Sequence, residues 1–177
     1  MADRPVVIKP KEPFYVQSGE DISFYVATSV WLELSVGEPA KKLMDVASFR
    51  PSDTWFGSST IEGELCYASR TLGRLRLEDL PIAPHQVVTT IQLRNKAKDA
   101  LFLERLKLPV QYLSIYQSQQ HLWTQTVSLI REQSGDLAEL KIAKAAPNHL
   151  EDVRKLATPR EKAGQNLVVR AFSKLFS

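Results

Sequence analysis

Apolar and polar residues alternate along the stretch from residue 22 to residue 36. The apolar residues fall on even positions, at Ile22, Phe24, Val26, Val30, Leu32, Leu34 and Val36, with Ser23, Ser29, Glu33 and Ser35 between them. A period of two residues is typical of a β-strand with one covered face, so we expect the even side chains to point inward. About fifteen residues is long for one strand, which predicts a break near Ala27-Thr28-Ser29.

The same alternation predicts further strands in the middle of the chain. Residues 87–94 lead into the polar turn Asn95-Lys96-Ala97-Lys98-Asp99 and return through residues 101–108, which predicts a hairpin. Other predicted strands cover residues 64–69, 75–77, 112–117, 122–131 and 137–143. We therefore predict an all-β fold, an antiparallel β-sandwich of about eight strands, for residues 1–145.

The pattern changes after Pro147. Residues 146–164 are polar and charged, with Pro159 and Gly164 as helix breakers, and predict a linker with a short helix at residues 150–156. In residues 165–177 the apolar side chains recur at helical spacing, which predicts a C-terminal amphipathic α-helix. Such a short helix is marginal alone in water, so either its own domain or a partner must cover its apolar face.

This predicted helix supplies the candidate partner-binding residues. They are Leu167, Val168, Arg170, Phe172, Lys174, Leu175 and Phe176. Because basic side chains adjoin the apolar stripe, we expect an acidic protein partner or peripheral contact with an anionic membrane surface.

Composition and charge narrow the class of protein. Hydrophobic residues make up 44% of the chain and charged residues 24%, which is typical of a folded globular protein. Residues 141–177 hold eight Lys/Arg against three Asp/Glu, although the whole chain carries a net charge of only +3. The basic excess therefore belongs to the C-terminal part, and the body lacks the broad basic surface that nucleic-acid binding requires. With one cysteine and no long apolar run, a cytoplasmic location is expected.

Candidate chemistry is sparse. Cys66 has no recognisable base or nucleophile elbow near it, and Leu65-Cys66-Tyr67-Ala68 has the pattern of a half-buried strand, so we expect a structural cysteine. Glu62 and Glu64 flank Gly63 and are either a carboxylate pair or a solvated turn. We predict no catalytic residues, no metal site and no cofactor, because no ligand spacing or phosphate-binding loop occurs.

Trp55 and Phe56 offer an alternative binding site. Aromatic side chains beside glycines can stack on sugar rings or on a partner, and they can equally close the end of a sandwich. The candidate ligand-binding residues of this alternative are Trp55, Phe56, Glu62 and Glu64.

Three segments carry a family resemblance. They are RPVVIKPKEPFYVQSGEDISFYVATSVWLELSV from Arg4, SFRPSDTWFGSSTIEGELCYASRT from Ser48, and HQVVTTIQLRNKAKDALFLERLKLP from His85. Together they resemble domain-of-unknown-function family four hundred thirty-two, which is found in archaea and bacteria. The resemblance implies a cytoplasmic β-rich module without established catalytic residues, encoded in some bacteria beside small-conductance-type mechanosensitive channels. Family members are expected to have further β-rich sequence before the segment that matches Arg4 to Pro10, so this sequence is expected to be either trimmed or a shorter variant.

We expect from these observations a non-catalytic interaction module, cytoplasmic or peripheral at the inner membrane, whose partner is a protein such as a mechanosensitive channel. The alternative is a module that binds a small ligand or a carbohydrate through the Trp55 loop.

Overall fold

The computed structural model describes residues 1–57, 61–164 and 167–173 of the chain. In these residues the fold is all-β, with a single 3₁₀ turn at Val110–Tyr112. The strands, in chain order, are β1 (Val6–Ile8), β2 (Phe14–Val16), β3 (Asp21–Ser29), β4 (Trp31–Val36), β5 (Lys41–Ala47), β6 (Ser52–Phe56), β7 (Glu64–Ala68), β8 (Gln86–Asn95), β9 (Leu101–Leu103), β10 (Arg105–Leu108), β11 (Ile115–Ser118), β12 (His121–Trp123), β13 (Val127–Arg131), β14 (Leu137–Ile142), β15 (Arg154–Ala157), β16 (Leu167–Arg170) and β17 (Phe172–Ser173).

Two large sheets, both curled into half-barrels, organise these strands. The five-stranded sheet has the order β17-β10-β1-β7-β6. The eight-stranded sheet has the order β15-β11-β12-β8-β13-β14-β16, with β3 also paired to β8. The all-β prediction is confirmed, but both sheets are mixed, because β1 pairs parallel with β7 and β8 pairs parallel with β12 and β13.

One main hydrophobic core lies between the two sheets. It joins Ile8 and Leu106 of the five-stranded sheet to Phe24, Ile91 and Leu129 of the eight-stranded sheet. Strand β8 is buried over nearly its whole length, because a second cluster around Val88 and Trp123 covers its other face. Gln92 and Arg94, near the end of β8, are exposed, so the alternation of buried and exposed positions is kept there.

The break in the long alternating stretch is confirmed, at Val30 between β3 and β4. Its two halves differ in burial. The even residues Phe24 and Val26 of β3 are buried against β8, whereas Leu32 and Leu34 of β4 are exposed. The inward orientation predicted for the second half is therefore wrong, because β4 leaves the sheet and pairs with β5.

The hairpin predicted around residues 95–99 does not form. After β8 the chain turns at Asn95 and enters β9 and β10, which pair with β2 and β1 respectively. The amide of Asn95 is buried and donates to the carbonyl oxygens of Val16 and Asp99, both at 2.9 Å. The polar turn therefore leads the chain from β8 of the eight-stranded sheet, through β9, to β10 of the five-stranded sheet.

The predicted C-terminal amphipathic helix is wrong. Over the described part of residues 165–177 the chain forms β16 and β17, which pair with β14 and β10. A short helix gains little stability alone, whereas the β-branched Val168 and Val169 in an extended segment gain ladder hydrogen bonds along β14. Likewise, the short helix predicted at residues 150–156 is not present, since Arg154–Ala157 form β15 at the edge of the eight-stranded sheet.

Candidate functional site

A groove with a volume of about 440 Å³ opens beside the C-terminal strands. One side is formed by β6, β7 and β10 of the five-stranded sheet, and the other by β14 and β16 of the eight-stranded sheet. Pro109, Gln111 and Tyr112, around the 3₁₀ turn, complete the lining. The groove therefore sits where the two half-barrels meet.

The two basic side chains of the groove are paired within the protein. The Lys107 ammonium lies 2.5 Å from Glu64 Oε2, with 9% of the lysine side chain exposed. Arg170 Nε lies 2.8 Å from Asp136 Oδ2, and its guanidinium also donates to the carbonyl oxygen of Glu62 at 3.0 Å. Each cation in the groove thus faces an acidic side chain.

Gln111 is the polar side chain of the groove whose bonding is incomplete. The residue is 8% exposed, and its Oε1 is buried without a hydrogen-bond partner. Its backbone carbonyl accepts from the amides of Arg160 and Glu161, which fixes the position of the residue. A buried acceptor without a donor has a free-energy cost of about 1–3 kcal/mol, so it invites an explanation.

Residues from two separate sequence predictions lie around this groove. Phe56, Glu62 and Glu64 come from the alternative ligand site, and Leu167, Val168 and Arg170 from the partner-binding set. Of the other predicted partner residues, Phe172 is buried in the main core, and Lys174, Leu175 and Phe176 lie outside the described residues.

The two adjacent aromatic residues of β6 have different surroundings. Phe56 is 1% exposed and packs with Val7 and Cys66 on the face of the five-stranded sheet opposite the main core. Trp55 points to the other face and is partly exposed, and its ring covers Gly63 so closely that a Cβ there would lie 1.9 Å from Nε1. Gly63 is therefore required by the close approach of the tryptophan.

A second surface was not predicted from the sequence. Strands β4 and β5 form a two-stranded unit, here called the ribbon, which pairs with no other strand of the described residues. Its outward face and bulge expose large apolar side chains, among them Leu32 at 56%, Leu34 at 48% and Met44 at 53%. The alternation of apolar and polar residues predicts β4 as a strand, but it does not show which face of the strand the rest of the folded protein covers.

The ribbon is fixed to the body through its other face. Asp45 Oδ2 accepts from Lys42 at 2.6 Å and from Arg160 at 2.5 Å, and the Arg160 guanidinium lies over the Trp31 ring. Trp31 in turn packs against Tyr67 of the five-stranded sheet. The hydrogen bond from Arg160, followed by that from Lys42, lowers the pKa of Asp45 to about 2.

Cys66 lies in the small cluster beneath the groove. Burial, followed by the nearby Glu64 carboxylate, raises the pKa of its thiol to about 12. A thiol held protonated at neutral pH is a poor nucleophile.

Among the described residues no group of three His, Cys, Asp or Glu side chains could hold a metal ion.

These features define an all-β protein of two curled sheets, with a mixed groove at their junction and an exposed apolar ribbon. The family model described as "Protein of unknown function (DUF432)" matches residues 1–177, and the chain belongs to this family. No curated protein and no solved structure shows significant similarity to it. In the described part of the chain, no helix is long and apolar enough to cross a membrane.

Proposed function

We propose that the protein is a non-catalytic interaction module and that the ribbon is its docking surface. The observation that carries this proposal is the cluster of exposed apolar side chains on one two-stranded element. They are Leu32, Leu34, Val36, Leu43, Met44 and Val46. Large apolar side chains that are exposed side by side on a soluble protein mark an interaction site, whereas singly scattered ones need no explanation.

The ribbon indicates the chemistry of the partner. Its outward face pairs Leu32 with Val46 and Leu34 with Met44, and charge enters this face only near the turn, at Lys41 opposite Val36. Both ribbon edges are unpaired within the described residues. An uncharged face beside open backbone edges suits an extended apolar segment of another protein, which can add as a further strand.

The family resemblance suggests where such a partner is found. In this proposal the module lies in the cytoplasm or at the inner membrane and contacts a membrane protein. A small-conductance-type mechanosensitive channel is the candidate partner. The contact is made through the ribbon and not through a C-terminal helix.

The test is binding of the purified full chain to such a channel in detergent, measured by biolayer interferometry. The double variant Leu34→Ser/Met44→Ser removes one cross-strand apolar pair from the outward face. The matched control is Leu75→Ser, which changes a similarly exposed leucine outside the ribbon. We expect at least a tenfold loss of affinity in the double variant and wild-type affinity in the control.

Light scattering on the chain alone separates the alternatives. Ribbon-dependent self-association without channel binding would make a second copy the occupant and would overturn the heterologous partner. Channel binding that survives the double variant would show that the ribbon is not the docking surface.

A further inference from the structure

We propose that the surface formed by residues 9–11 and 70–76, here called the basic strip, binds the anionic headgroup surface of a lipid bilayer. This inference goes beyond the proposed function, because it concerns a surface other than the ribbon and a partner other than a protein. The two segments contain five basic side chains and no acidic one, namely Lys9, Lys11, Arg70, Arg74 and Arg76.

Backbone pairing brings the two segments of the strip together. The amide of Gly73 donates to the carbonyl oxygen of Lys9 at 2.8 Å, and the amide of Lys11 donates to the carbonyl oxygen of Gly73 at 3.1 Å. Arg74 forms two further backbone hydrogen bonds with Tyr25 of β3, at 2.9 and 2.7 Å. The strip is therefore formed before any partner arrives, and a preformed surface loses little conformational entropy on binding.

The register shows that side chains of both segments share one outward face. Pro10 and Gly73 are parallel partners, so their side-chain positions point the same way. Pro10 is buried, and a Cβ on Gly73 would lie 2.1 Å from Cζ of the buried Phe24, so this direction is inward. Because successive side chains of an extended chain alternate, the residues on either side of this pair point outward together. They are Lys9, Lys11, Leu72 and Arg74.

The positive charge of the strip is hardly neutralised by the protein. Within the described part of the chain only Arg76 has a carboxylate within ion-pair distance, that of the exposed Glu78 at 3.8 Å. Arg74 donates to the carbonyl oxygen of Leu72 at 2.8 Å, and the Arg70 guanidinium lies 4.5 Å from the centre of the Phe49 ring. These contacts orient the guanidinium groups and leave their charge uncompensated, so the strip attracts an anionic surface.

Exposed leucines select a lipid surface among anionic partners. Leu72 is 39% exposed and Leu75 is 53% exposed, and both alternate with the arginines of residues 70–76. Apolar side chains among basic ones are typical of surfaces that lie in the interface of an anionic membrane, where the leucines enter the acyl boundary and the cations remain at the headgroups. A phosphate backbone of a nucleic acid offers such leucines no comparable contact.

The test is co-sedimentation of the purified full chain with lipid vesicles. One set of vesicles is phosphatidylcholine alone, and the other contains equal parts of phosphatidylcholine and phosphatidylglycerol. At low salt we expect the anionic vesicles to bind roughly tenfold or more tightly than the neutral ones. The preference should shrink as added salt screens the headgroup charge.

A charge variant tests the basic side chains. Lys9→Gln/Lys11→Gln/Arg76→Gln removes three positive charges from exposed positions, so the fold should be retained, as circular dichroism can verify. Each basic side chain near an anionic surface contributes roughly a fivefold gain in affinity, so the variant is expected to bind anionic vesicles at least tenfold more weakly. The matched control removes the same charge from exposed lysines outside the strip and is expected to bind nearly as tightly as the wild type. It is Lys141→Gln/Lys144→Gln/Lys162→Gln.

A second variant tests the leucines. Leu72→Ser/Leu75→Ser keeps all five charges, and we expect a severalfold loss of vesicle affinity because the apolar contact with the bilayer is removed. Leu137→Ser/Leu156→Ser, at similarly exposed positions outside the strip, is its control. In uncharged detergent, where no anionic bilayer is present, the strip variants should bind the channel like the wild type, which separates this surface from the ribbon.

Three outcomes with vesicles would overturn the proposal. They are equal binding to neutral and anionic vesicles, wild-type binding by the charge variant, and an equal loss in its matched control. If a double-stranded DNA oligonucleotide bound as tightly as the anionic vesicles, with no loss in the leucine variant, a nucleic acid would be the partner and the proposal would likewise be overturned.

Discussion

Arg131 illustrates how a buried charge is stabilised in this fold. The residue is 3% exposed, and its guanidinium donates to Asn95 Oδ1, to the carbonyl oxygen of Gly135 and to Asp99 Oδ2, at 2.8–3.1 Å. Hydrogen bonds from Arg131 and then Ser134 lower the pKa of Asp99 to about 2. The cluster ties the end of β13 to the turn after β8, which carries the chain between the sheets.

The lowered pKa of Asp99 predicts a defined pH dependence. An Asp pKa below its ordinary value of 3.8 stabilises the folded state above about pH 4, and this contribution is lost as the pH falls towards 2. Asp99→Asn should therefore be less stable than the wild type at pH 6, and the difference should shrink between pH 4 and 2. Urea unfolding at several pH values measures this. The control is Asp21→Asn, which removes a carboxylate from an exposed ion pair with Arg94. If the stability difference between Asp99→Asn and the wild type stayed constant from pH 6 to pH 2, the lowered pKa of Asp99 would be contradicted.

The buried thiol of Cys66 predicts low reactivity. Because its pKa is raised to about 12, the thiol stays protonated at neutral pH and should react slowly with a water-soluble disulfide reagent until the protein is unfolded in urea. Cys66→Ser should lower the free energy of unfolding by about 1–3 kcal/mol, because a hydroxyl replaces an apolar side chain in the cluster with Val7 and Phe56. Rapid modification of the folded protein would indicate an exposed thiolate.

At the level of elements, the C-terminal strands belong to the core of the protein. Phe172 lies in the main core and pairs with Leu106 of β10. Phe172→Ala should lower the free energy of unfolding by about 3–5 kcal/mol, since it leaves a cavity between the sheets. Val168→Ala, on the exposed side of the neighbouring β16, should change it by less than about 0.5 kcal/mol. Equal effects in a urea melt would mean that this segment does not pack as described.

The two halves of the alternating stretch should respond oppositely to charge. Phe24→Asp places a carboxylate in the main core and should prevent folding. Leu32→Asp lies on the outward face of the ribbon and should change the free energy of unfolding by less than about 0.5 kcal/mol while increasing solubility. Circular dichroism and urea melts measure both. If Leu32→Asp also unfolds the protein, the outward face is covered.

The local alternation of apolar and polar residues predicts most of the strands, but it does not predict which strands pair with each other. The alternation at residues 22–36 and 137–142 gave strands in the right places, because burial of one face leaves a period of two in the sequence. Pairing depends on distant segments, so the turn at Asn95 looked like a hairpin although β9 and β10 join other strands. In residues 167–173 the apolar spacing fitted a helix, and tertiary pairing with β14 and β10 overrode it.

At the scale of the whole molecule, the shared core predicts cooperative unfolding. Both sheets contribute to one buried cluster, and residues 167–173 pair with each of them. Tryptophan fluorescence and far-ultraviolet circular dichroism should therefore report a single coincident transition in urea. Two separate transitions would show that the half-barrels unfold independently.

The sequence located parts of the groove without showing that they meet. The pattern marks Glu62 and Glu64 as either a carboxylate pair or a solvated turn, and it places Leu167, Val168 and Arg170 on one predicted helix; all five residues line the groove. About a hundred residues separate the two sets, so only the three-dimensional fold brings them together. Gln111 carries no local signal, since its burial and its unpaired oxygen arise from the turn after β10 and its contacts with Arg160 and Glu161.

The crossing of the chain from β16 to β17 has a consequence for biosynthesis. Until residue 173 has left the ribosomal exit tunnel, β14 and β10 each lack a neighbour, and the side chain of Phe172 is missing from between the sheets. A nascent chain at this stage exposes strand edges and apolar surface of the kind that chaperones bind. The two half-barrels therefore cannot complete their sheets until one seven-residue segment, residues 167–173, has emerged.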